Sequence, residues 1–497
     1  MNVRVSQSVA VWRDRSVRSI GDQAYLVYVI IMVALVTIVP AVRAVWVGTT
    51  SEQSLAVLSS AVAPSMTSII VAVLWGAMLL LGRERGPALR HVFPTYALAN
   101  SDIPPYESFR SPFFRAGLVV VAATTGVAAL IGSSLVSNGM TDLFDAVIFA
   151  LAGMLVGLIA AVSWLAGQVF PRVAVPAAVA VIALSVATFA FPGALSFMPW
   201  GWAGLAYPGH GTFEFMVPLA LLAAGAISII PSLMNRLGVA QLVAQAARWE
   251  SVSSLAAGME FGAAAAVYRS KPGAGRNQRA VRLSGGGMWR FLVRDAIGAR
   301  RTPSRFVVGI LGIAAAGILV TLATTFNSAG WVVGAIAGVV LFAGLGPLTD
   351  GVRHAATVAA DLPLYGISDE RLLVNHAIFP LTVTVIVLIA AALLCSVVLG
   401  VGGAAPAISS VALGVLTVIA RVSAALKGPL PPSLLTPVPT IMGDVSVIAR
   451  LAWAIDGVLF AALIGASASL LTLSTLLPVA VTIALICTTV HRWRRRA

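Results

Sequence analysis

The sequence predicts an all-α integral membrane protein with about twelve transmembrane helices. Of its 497 residues, 59% are hydrophobic and 10% are charged, whereas a soluble domain carries roughly 25% charged residues. The apolar runs are about 20 residues long, which is enough to cross a hydrocarbon core of about 30 Å as a helix. They lack the period-2 alternation of a membrane-spanning strand. Helices satisfy their own backbone hydrogen bonds, so they are the expected elements in lipid.

The apolar runs define the individual spans. The predicted spans cover residues 24–47, 55–82, 116–137, 144–169, 172–192, 215–235, 306–326, 329–348, 376–400, 405–423, 447–467 and 469–490.

The basic residues predict how these spans are oriented. If both termini lie in the cytoplasm, all of the 32 lysines and arginines except Arg43 fall in cytoplasmic segments or at the adjoining helix ends. Loops that stay in the cytoplasm are enriched in these residues. The net charge of +14 is then explained by topology and by contact with anionic lipid. We therefore expect a multi-pass protein of the cell membrane and no nucleic-acid partner.

The chain divides into two halves of six spans each. Residues 89–91 (Leu-Arg-His) follow the second span of the first half, and residues 352–354 (Val-Arg-His) follow the second span of the other. This weak internal similarity predicts two six-helix repeats, which are parallel because each contains an even number of spans. The predicted parts are a basic, amphipathic N-terminal segment (1–23), a first six-helix domain (24–235), a basic cytoplasmic linker with an amphipathic segment (236–305), a second six-helix domain (306–490) and a basic cytoplasmic tail (491–497).

No pattern in the sequence predicts an enzyme. The two lysines, Lys271 and Lys427, do not lie in the frame of a phosphate-binding loop. Zinc-protease, Cys-x-x-Cys and nucleophile-elbow patterns are also missing from the sequence. Cys395 and Cys487 lie in apolar runs and are expected to be buried thiols. We therefore expect no catalytic residues, no cofactor and no metal.

One acidic residue lies inside an apolar run. Asp456 is in the eleventh predicted span, and Arg450 precedes it by six residues. An ionisable residue at membrane depth often lines a translocation path. The alternative is that the helix begins elsewhere, or that the two charges reach the interface of the inner leaflet.

Two long cytoplasmic loops, 83–115 and 349–375, carry mixed charges, and the first is also aromatic. Such segments must project into the cytosol or pack on protein, because lipid cannot hydrogen-bond their backbone. Their composition favours a protein partner, and a plain solvated loop is the alternative.

The outer segment 193–214 contains Pro199, Trp200 and Trp202, which indicate an interfacial belt or a short re-entrant turn. The pairs Gly153/Gly157 and Gly334/Gly338 predict close contacts between helices.

This order of segments resembles the membrane subunit of type-2 ABC exporters. Residues 197–206 are similar to the Pro-Gly-Trp-Ala-Ala stretch that such permeases show before their last helix. Residues 350–354, 364–369 and 437–444 are similar to double-length actinobacterial permeases, in which two six-helix domains are fused.

The resemblance implies that the loop after the second span of each half docks on an ATPase as a coupling helix. Carried onto this chain, that role falls to Arg90, His91, Asp102, Glu107, Arg353, His354, Asp369 and Glu370. The second half departs from the family, because its outer connector near 467–469 is too short for a Pro-Trp turn.

The leading hypothesis is therefore an ABC exporter permease that moves an amphiphilic or hydrophobic substrate. Its partners would be the lipid bilayer and a separate P-loop ATPase, in two copies, that hydrolyses the ATP. One alternative is an ion-coupled, twelve-helix secondary transporter. Another is a membrane scaffold that transports nothing.

Overall fold

The computed structural model describes most of the chain. The described residues are 3–14, 20–33, 35, 39–188, 191–209, 213–269, 274–275, 287–324, 330–358, 366–399, 403–428, 430–436, 439–440, 443–444, 446–471 and 474–495. The middle of the predicted linker (270–273 and 276–286) lies outside this set, as do parts of the two later stretches that carry the family resemblance (364–365, 437–438 and 441–442).

The described part of the chain is almost entirely helical and separates into two compact units. Unit 1 comprises residues 1–257 and 263–268, and unit 2 comprises 258–262 and 269–497. The helices up to residue 268 are α1 (Val3–Asp14), α2 (Ile20–Val33), α3 (Val39–Thr49), α4 (Glu52–Leu58), α5 (Ala63–Glu84), α6 (Val92–Ala99), α7 (Pro105–Ser137), α8 (Leu143–Val169), α9 (Pro171–Ala187), α10 (Pro199–Leu205), α11 (Met216–Ser228), α12 (Ile230–Asn235), α13 (Val239–Ala257) and α14 (Phe261–Val267).

The remaining elements belong to unit 2. They are α15 (Gly287–Arg300), α16 (Pro303–Ala323), α17 (Gly330–Gly344), α18 (Asp350–Val358), α19 (Asp369–Leu399), α20 (Ala404–Ala425), α21 (Ser446–Ser469) and α22 (Leu476–Arg494), with a two-residue strand β1 (Pro439–Thr440) antiparallel to β2 (Gly443–Asp444). Short 3-10 turns occupy Pro192–Phe197, Phe213–Phe215 and Pro432–Leu434.

Within the described residues, nine helices are long and apolar enough to cross a membrane. They are Ala63–Glu84, Pro105–Ser137, Leu143–Val169, Phe213–Asn235, Pro303–Ala323, Asp369–Val397, Ala404–Ala425, Ile448–Ser469 and Leu476–Arg494. Pro171–Ala187 and Gly330–Gly344 are apolar but shorter. The first predicted span, 24–47, coincides with α2 and α3, neither of which is among the nine. The described part of the chain is thus almost entirely helical, with the long apolar helices of a multi-pass membrane protein.

Two helices begin well before the apolar segments that predicted them. The helix expected at 116–137 starts at Pro105, and the helix expected at 376–400 starts at Asp369. Proline suits the first turn of a helix because its missing N–H would have no partner there. Carboxylates such as Glu107 and Asp369 favour the same turn through the helix dipole. Hydropathy therefore located the lipid-facing part of each helix and not its start.

Close helix packing occurs at the predicted glycine pairs. A Cβ atom on Gly157 would collide with the Thr124 hydroxyl of α7, and one on Gly338 would collide with the Ala461 carbonyl oxygen of α21. Gly153 and Gly334 lie in the same two interfaces, so the prediction from spacing is confirmed.

The two units share several helix pairings. In unit 1, α5 packs on α8 and α9, and α8 packs on α7 and α11. In unit 2, α17 packs on α20 and α21, and α20 packs on α19 and α22. If the predicted spans of each half are numbered from two to six, they are α5, α7, α8, α9 and α11 in unit 1 and α17, α19, α20, α21 and α22 in unit 2. With this numbering the four pairings are the same in both units.

Candidate functional site

In unit 1 the first predicted coupling loop contains the short helix α6, which lies between α5 and α7. Its inward side chains Pro94, Thr95 and Leu98 are buried, and α6 packs on α13 and α1. The outward side chains Phe93 and Tyr96 are 63% and 58% exposed. Two exposed aromatic rings on one short helix are a feature of surfaces that bind another protein.

The four predicted residues of this loop have different positions. Arg90 donates from Nε and Nη2 to the backbone carbonyl oxygen of Ser108, at 3.2 and 3.1 Å, and so connects the loop to α7. His91 is exposed at the N-terminus of α6. Asp102 is exposed and forms a 3.5 Å ion pair with Arg4. Glu107 lies in the first turn of α7.

The side-chain amides of Gln245 and Gln168 form a buried hydrogen-bond network with the backbone that leads from α5 to α6. This network was not predicted from the sequence. Gln245 of α13 donates to the carbonyl oxygens of Gly82 (3.2 Å) and Arg83 (3.0 Å). Its Oε1 accepts from the Gly86 amide (3.4 Å) and from Nε2 of Gln168 (3.0 Å). Gln168 and Gln245 are 0% and 1% exposed. The backbone between α5 and α6 is therefore hydrogen-bonded by side chains where no regular ladder exists.

Helix α13 also contacts this end of α5 and α6 at the surface. Glu250 accepts a hydrogen bond from the Val92 amide at 3.0 Å, at the start of α6. Arg248 pairs with Glu84 at 3.3 Å. The guanidinium of Arg85 lies 3.4 Å from the centre of the Trp249 ring. Part of the predicted linker is thus a structural component of unit 1.

In unit 2 the second predicted coupling loop contains α18, and charged groups surround this helix. Asp350, its first residue, pairs with Arg305 of α16 at 3.1 Å and with Arg353 at 3.6 Å. Val352, Ala355 and Ala356 form its buried face. The predicted residues Asp369 and Glu370 lie in the first turn of α19.

A buried His–Asp pair lies behind α18. Nδ1 of His376 in α19 is 2.7 Å from Oδ2 of Asp295 in α15, and both side chains are buried. Gly351 allows this approach, since a Cβ there would lie 2.6 Å from each partner. The predicted coupling residue His354 lies with its ring centre 6.5 Å from that of His376. Burial, followed by the charges of Arg294 and His376, lowers the pKa of His354, while Asp295 raises it.

The predicted pathway charge Asp456 is held by two cations. Its Oδ1 lies 2.8 Å from Nζ of Lys427, and its Oδ2 pairs with Arg492 of α22. The Lys427 ammonium also lies 3.8 Å from the centre of the Trp453 ring. Arg450 donates from Nε to the carbonyl oxygen of Ser446 at 3.3 Å and from Nη2 to its hydroxyl at 3.0 Å. Asp456 therefore connects the middle of α21 to the C-terminal ends of α20 and α22.

The predicted outer turn forms α10 in unit 1. Pro199 is its first residue, Trp200 is buried, and the indole N–H of Trp202 donates to the Ser196 carbonyl oxygen at 2.8 Å. A Cβ atom on Gly204 would collide with the Pro64 carbonyl oxygen near the start of α5. Since α6 follows the other end of α5, the outer turn and the predicted coupling loop lie at opposite ends of unit 1.

Unit 2 also contains an apolar groove of about 760 Å³ between α19, α20 and α22. Its lining residues are Ile389, Ala407, Ile408, Val411, Ala412, Val415, Leu416, Leu471, Pro478, Val479, Thr482 and Ile483. Most of them belong to α20 or to the first half of α22, whereas Lys427 follows the end of α20 and Arg492 lies near the end of α22. The lining of the groove is almost entirely apolar.

Within the described residues, no group of three or more His, Cys, Asp or Glu side chains could hold a metal ion. No family model matches the chain, and no curated protein or solved structure is significantly similar to it.

Proposed function

We propose that the chain is the permease component of an ABC exporter, and that a separate ATPase docks on α6 and α18. The observation that carries this proposal is the structure of α6. One face is fixed to α13 and to α1, while Phe93 and Tyr96 remain exposed at the end of long apolar helices. A helix held in this way can transmit movement of a bound partner to α5 and α7.

The proposal includes two parallel six-helix repeats, twelve spans, and both termini in the cytoplasm of a cell-membrane protein. The four corresponding helix pairings of the two units support the repeat. The opposite locations of α6 and α10 support a cytoplasmic loop and an outer turn. For coupling, two ATPase copies would have to bind more tightly to one conformation of the permease than to the other.

The substrate in this proposal is hydrophobic or amphiphilic. The groove in unit 2 supports this, because Thr482 is the only polar residue among those that line it. An apolar molecule or an acyl chain gains about 25 cal/mol for each Å² of apolar surface that it removes from water. A sugar or an inorganic ion would find few hydrogen-bond partners there.

The test is co-purification from native membranes in mild detergent. The double variant Phe93→Ala/Tyr96→Ala should lose a stoichiometric P-loop ATPase and the ATP hydrolysis that co-purifies with it. Its matched control is Phe197→Ala, which removes an aromatic ring that is 81% exposed at the opposite end of unit 1. These positions are preferable to Arg90, whose hydrogen bonds to Ser108 are internal.

Three results would contradict the proposal. Retention of the ATPase by the double variant would show that α6 is not the docking site. Transport without an ATPase that depends on a proton gradient and is abolished by Asp456→Asn would indicate the secondary transporter. Co-purification of other membrane subunits alone would indicate the scaffold.

A further inference from the structure

A cluster of arginines surrounds the junction between α17 and α18. Arg305 comes from the first turn of α16, Arg353 from α18 and Arg421 from the last turns of α20. Arg305 and Arg353 share the carboxylate of Asp350, at 3.1 and 3.6 Å. A Cβ atom on Gly346, four residues before Asp350, would lie 3.6 Å from Nη2 of Arg421, so Arg421 also lies at this junction.

Arg421 contacts the last turn of α17. It donates from Nη2 to the Phe342 carbonyl oxygen, and its guanidinium lies 3.7 Å from the centre of the Phe342 ring. A carbonyl in the last turn of a helix is a favourable partner for a cation. The Nε atom of Arg421 is nonetheless buried without a hydrogen-bond partner. A buried N–H of a charged group costs stability when it is unpaired.

The charges at this junction do not balance within the described residues. Asp350 is the one carboxylate that pairs with Arg305 or Arg353, and Arg269 lies near enough to act on Arg353. The pKa of Arg353 is lowered, chiefly by burial and then by the positive charge of Arg269. The carboxylate of Asp350 acts in the opposite direction and raises this pKa. Guanidiniums that are partly buried together repel one another, and an anion between them removes that repulsion.

The position of the cluster along the helices indicates which anion is available. Helix α16 has 21 residues, a length of about 31 Å, which matches the thickness of the hydrocarbon core. Arg305 is the third residue of this helix and Arg421 is near the end of α20, so both lie at the depth of lipid headgroups. The side chains of Arg305 and Arg353 are 20% and 29% exposed, so a ligand can reach them. Guanidiniums bind phosphate oxygens through two parallel hydrogen bonds.

From this arrangement we infer that Arg305, Arg353 and Arg421 form a binding site for a phosphate group at the α17–α18 junction. Its source is either the headgroup of an anionic lipid or free phosphate. The site is independent of the proposed ATPase partner, because it needs only unit 2 and a phosphate. A bound phosphate would link α16, α18 and α20.

The test measures binding to the full chain in neutral detergent by the shift in its thermal unfolding midpoint. The probes are dioctanoyl phosphatidylglycerol, inorganic phosphate and, as a zwitterionic control, dioctanoyl phosphatidylcholine. Arg305→Gln and Arg353→Gln should each weaken binding about tenfold, the loss of one charge-assisted interaction. Arg371→Gln is the matched control, because Arg371 is exposed in the same unit and should bind as the unsubstituted chain does.

The variants also separate binding from loss of structure. Arg353→Lys keeps the charge but loses the paired hydrogen bonds, so its affinity should lie between those of Arg353 and Arg353→Gln. Asp350→Asn should bind phosphate more tightly, because it removes the competing carboxylate. A shift with the anionic lipid alone identifies a headgroup, and an equal shift with inorganic phosphate identifies free phosphate. The inference is overturned if neither probe shifts the midpoint, or if Arg371→Gln weakens binding as much as Arg353→Gln.

Discussion

The short helices of the two predicted coupling loops, α6 in unit 1 and α18 in unit 2, are held differently. In unit 1, neutral amides hold the connection between α5 and α6, chiefly through the buried Gln245 and Gln168. In unit 2, Asp350 holds α18 through ion pairs with Arg305 and Arg353, and Asp456 joins α21 to Lys427 and Arg492. Neutral hydrogen bonds depend on geometry and little on pH or salt, whereas ion pairs respond to both. The two units should therefore respond differently to the same change in solution.

The largest effect is expected for Gln245→Leu in unit 1. This change leaves two carbonyl oxygens, the Gly86 amide and the Gln168 side chain without their shared partner. We expect a loss of about 3 kcal/mol or more in the free energy of unfolding, since each buried unpaired group costs roughly 1–3 kcal/mol. Hydrogen exchange should speed up at Gly86 and Val92 but not in α18.

The control for this prediction is Gln7→Leu, which changes an exposed glutamine of α1. Its stability should stay within about 0.5 kcal/mol of the unsubstituted chain, as for other surface substitutions. Unchanged exchange at Gly86 in Gln245→Leu would mean that the amide network does not hold α6.

A smaller effect is expected for Asp456→Asn in unit 2. The change leaves Lys427 and Arg492 without their carboxylate, and the three side chains are 12–17% exposed. Loss of one partner from a fully buried pair costs about 3–5 kcal/mol. Partial exposure reduces this to about 2 kcal/mol. Hydrogen exchange should speed up at the ends of α20 and α22, with no change around Gly86.

The double variant Asp456→Asn/Lys427→Met sharpens this prediction. It removes one of the two cations that the single variant leaves without a carboxylate, so it should recover part of the lost stability. If it is less stable than Asp456→Asn, the ion pairs are not what connects these helices.

The smallest effect concerns pH. Burial and the neighbouring cations lower the pKa of His354 below its unfolded value, so the unfolded chain binds more protons at mildly acidic pH. The stability of unit 2 should therefore be unaffected by this group above about pH 6.5 and should fall below that value. His354→Gln should reduce the difference in hydrogen exchange of α18 between pH 7 and pH 5.5. An unchanged difference would show that other groups cause the pH dependence.

Much of the architecture could be predicted from particular stretches of the sequence. The span predicted at 144–169 matches the helix Leu143–Val169, because an apolar segment of that length has few alternatives to a helix in lipid. Gly334 and Gly338 predicted a close helix contact, because small residues at that spacing lie on one helix face. The start of α7 at Pro105 was missed because hydropathy does not detect a polar first turn.

The candidate sites also contain some features that could be predicted from the sequence and others that could not. The sequence by itself determined that the chain spans a membrane many times, that Asp456 is a charge within an apolar run, and that the segments 83–115 and 349–375 are rich in charge. Only the tertiary structure decided that Gln245 supports α6, that Lys427 and Arg492 pair with Asp456, and that Arg305 and Arg353 share Asp350 at the junction where Arg421 also lies. The hydropathy and charge of a segment depend only on residues that are adjacent in the sequence, so they can be read from the sequence directly. Polar partners here are separated by up to 164 residues, so only folding brings them within hydrogen-bond distance.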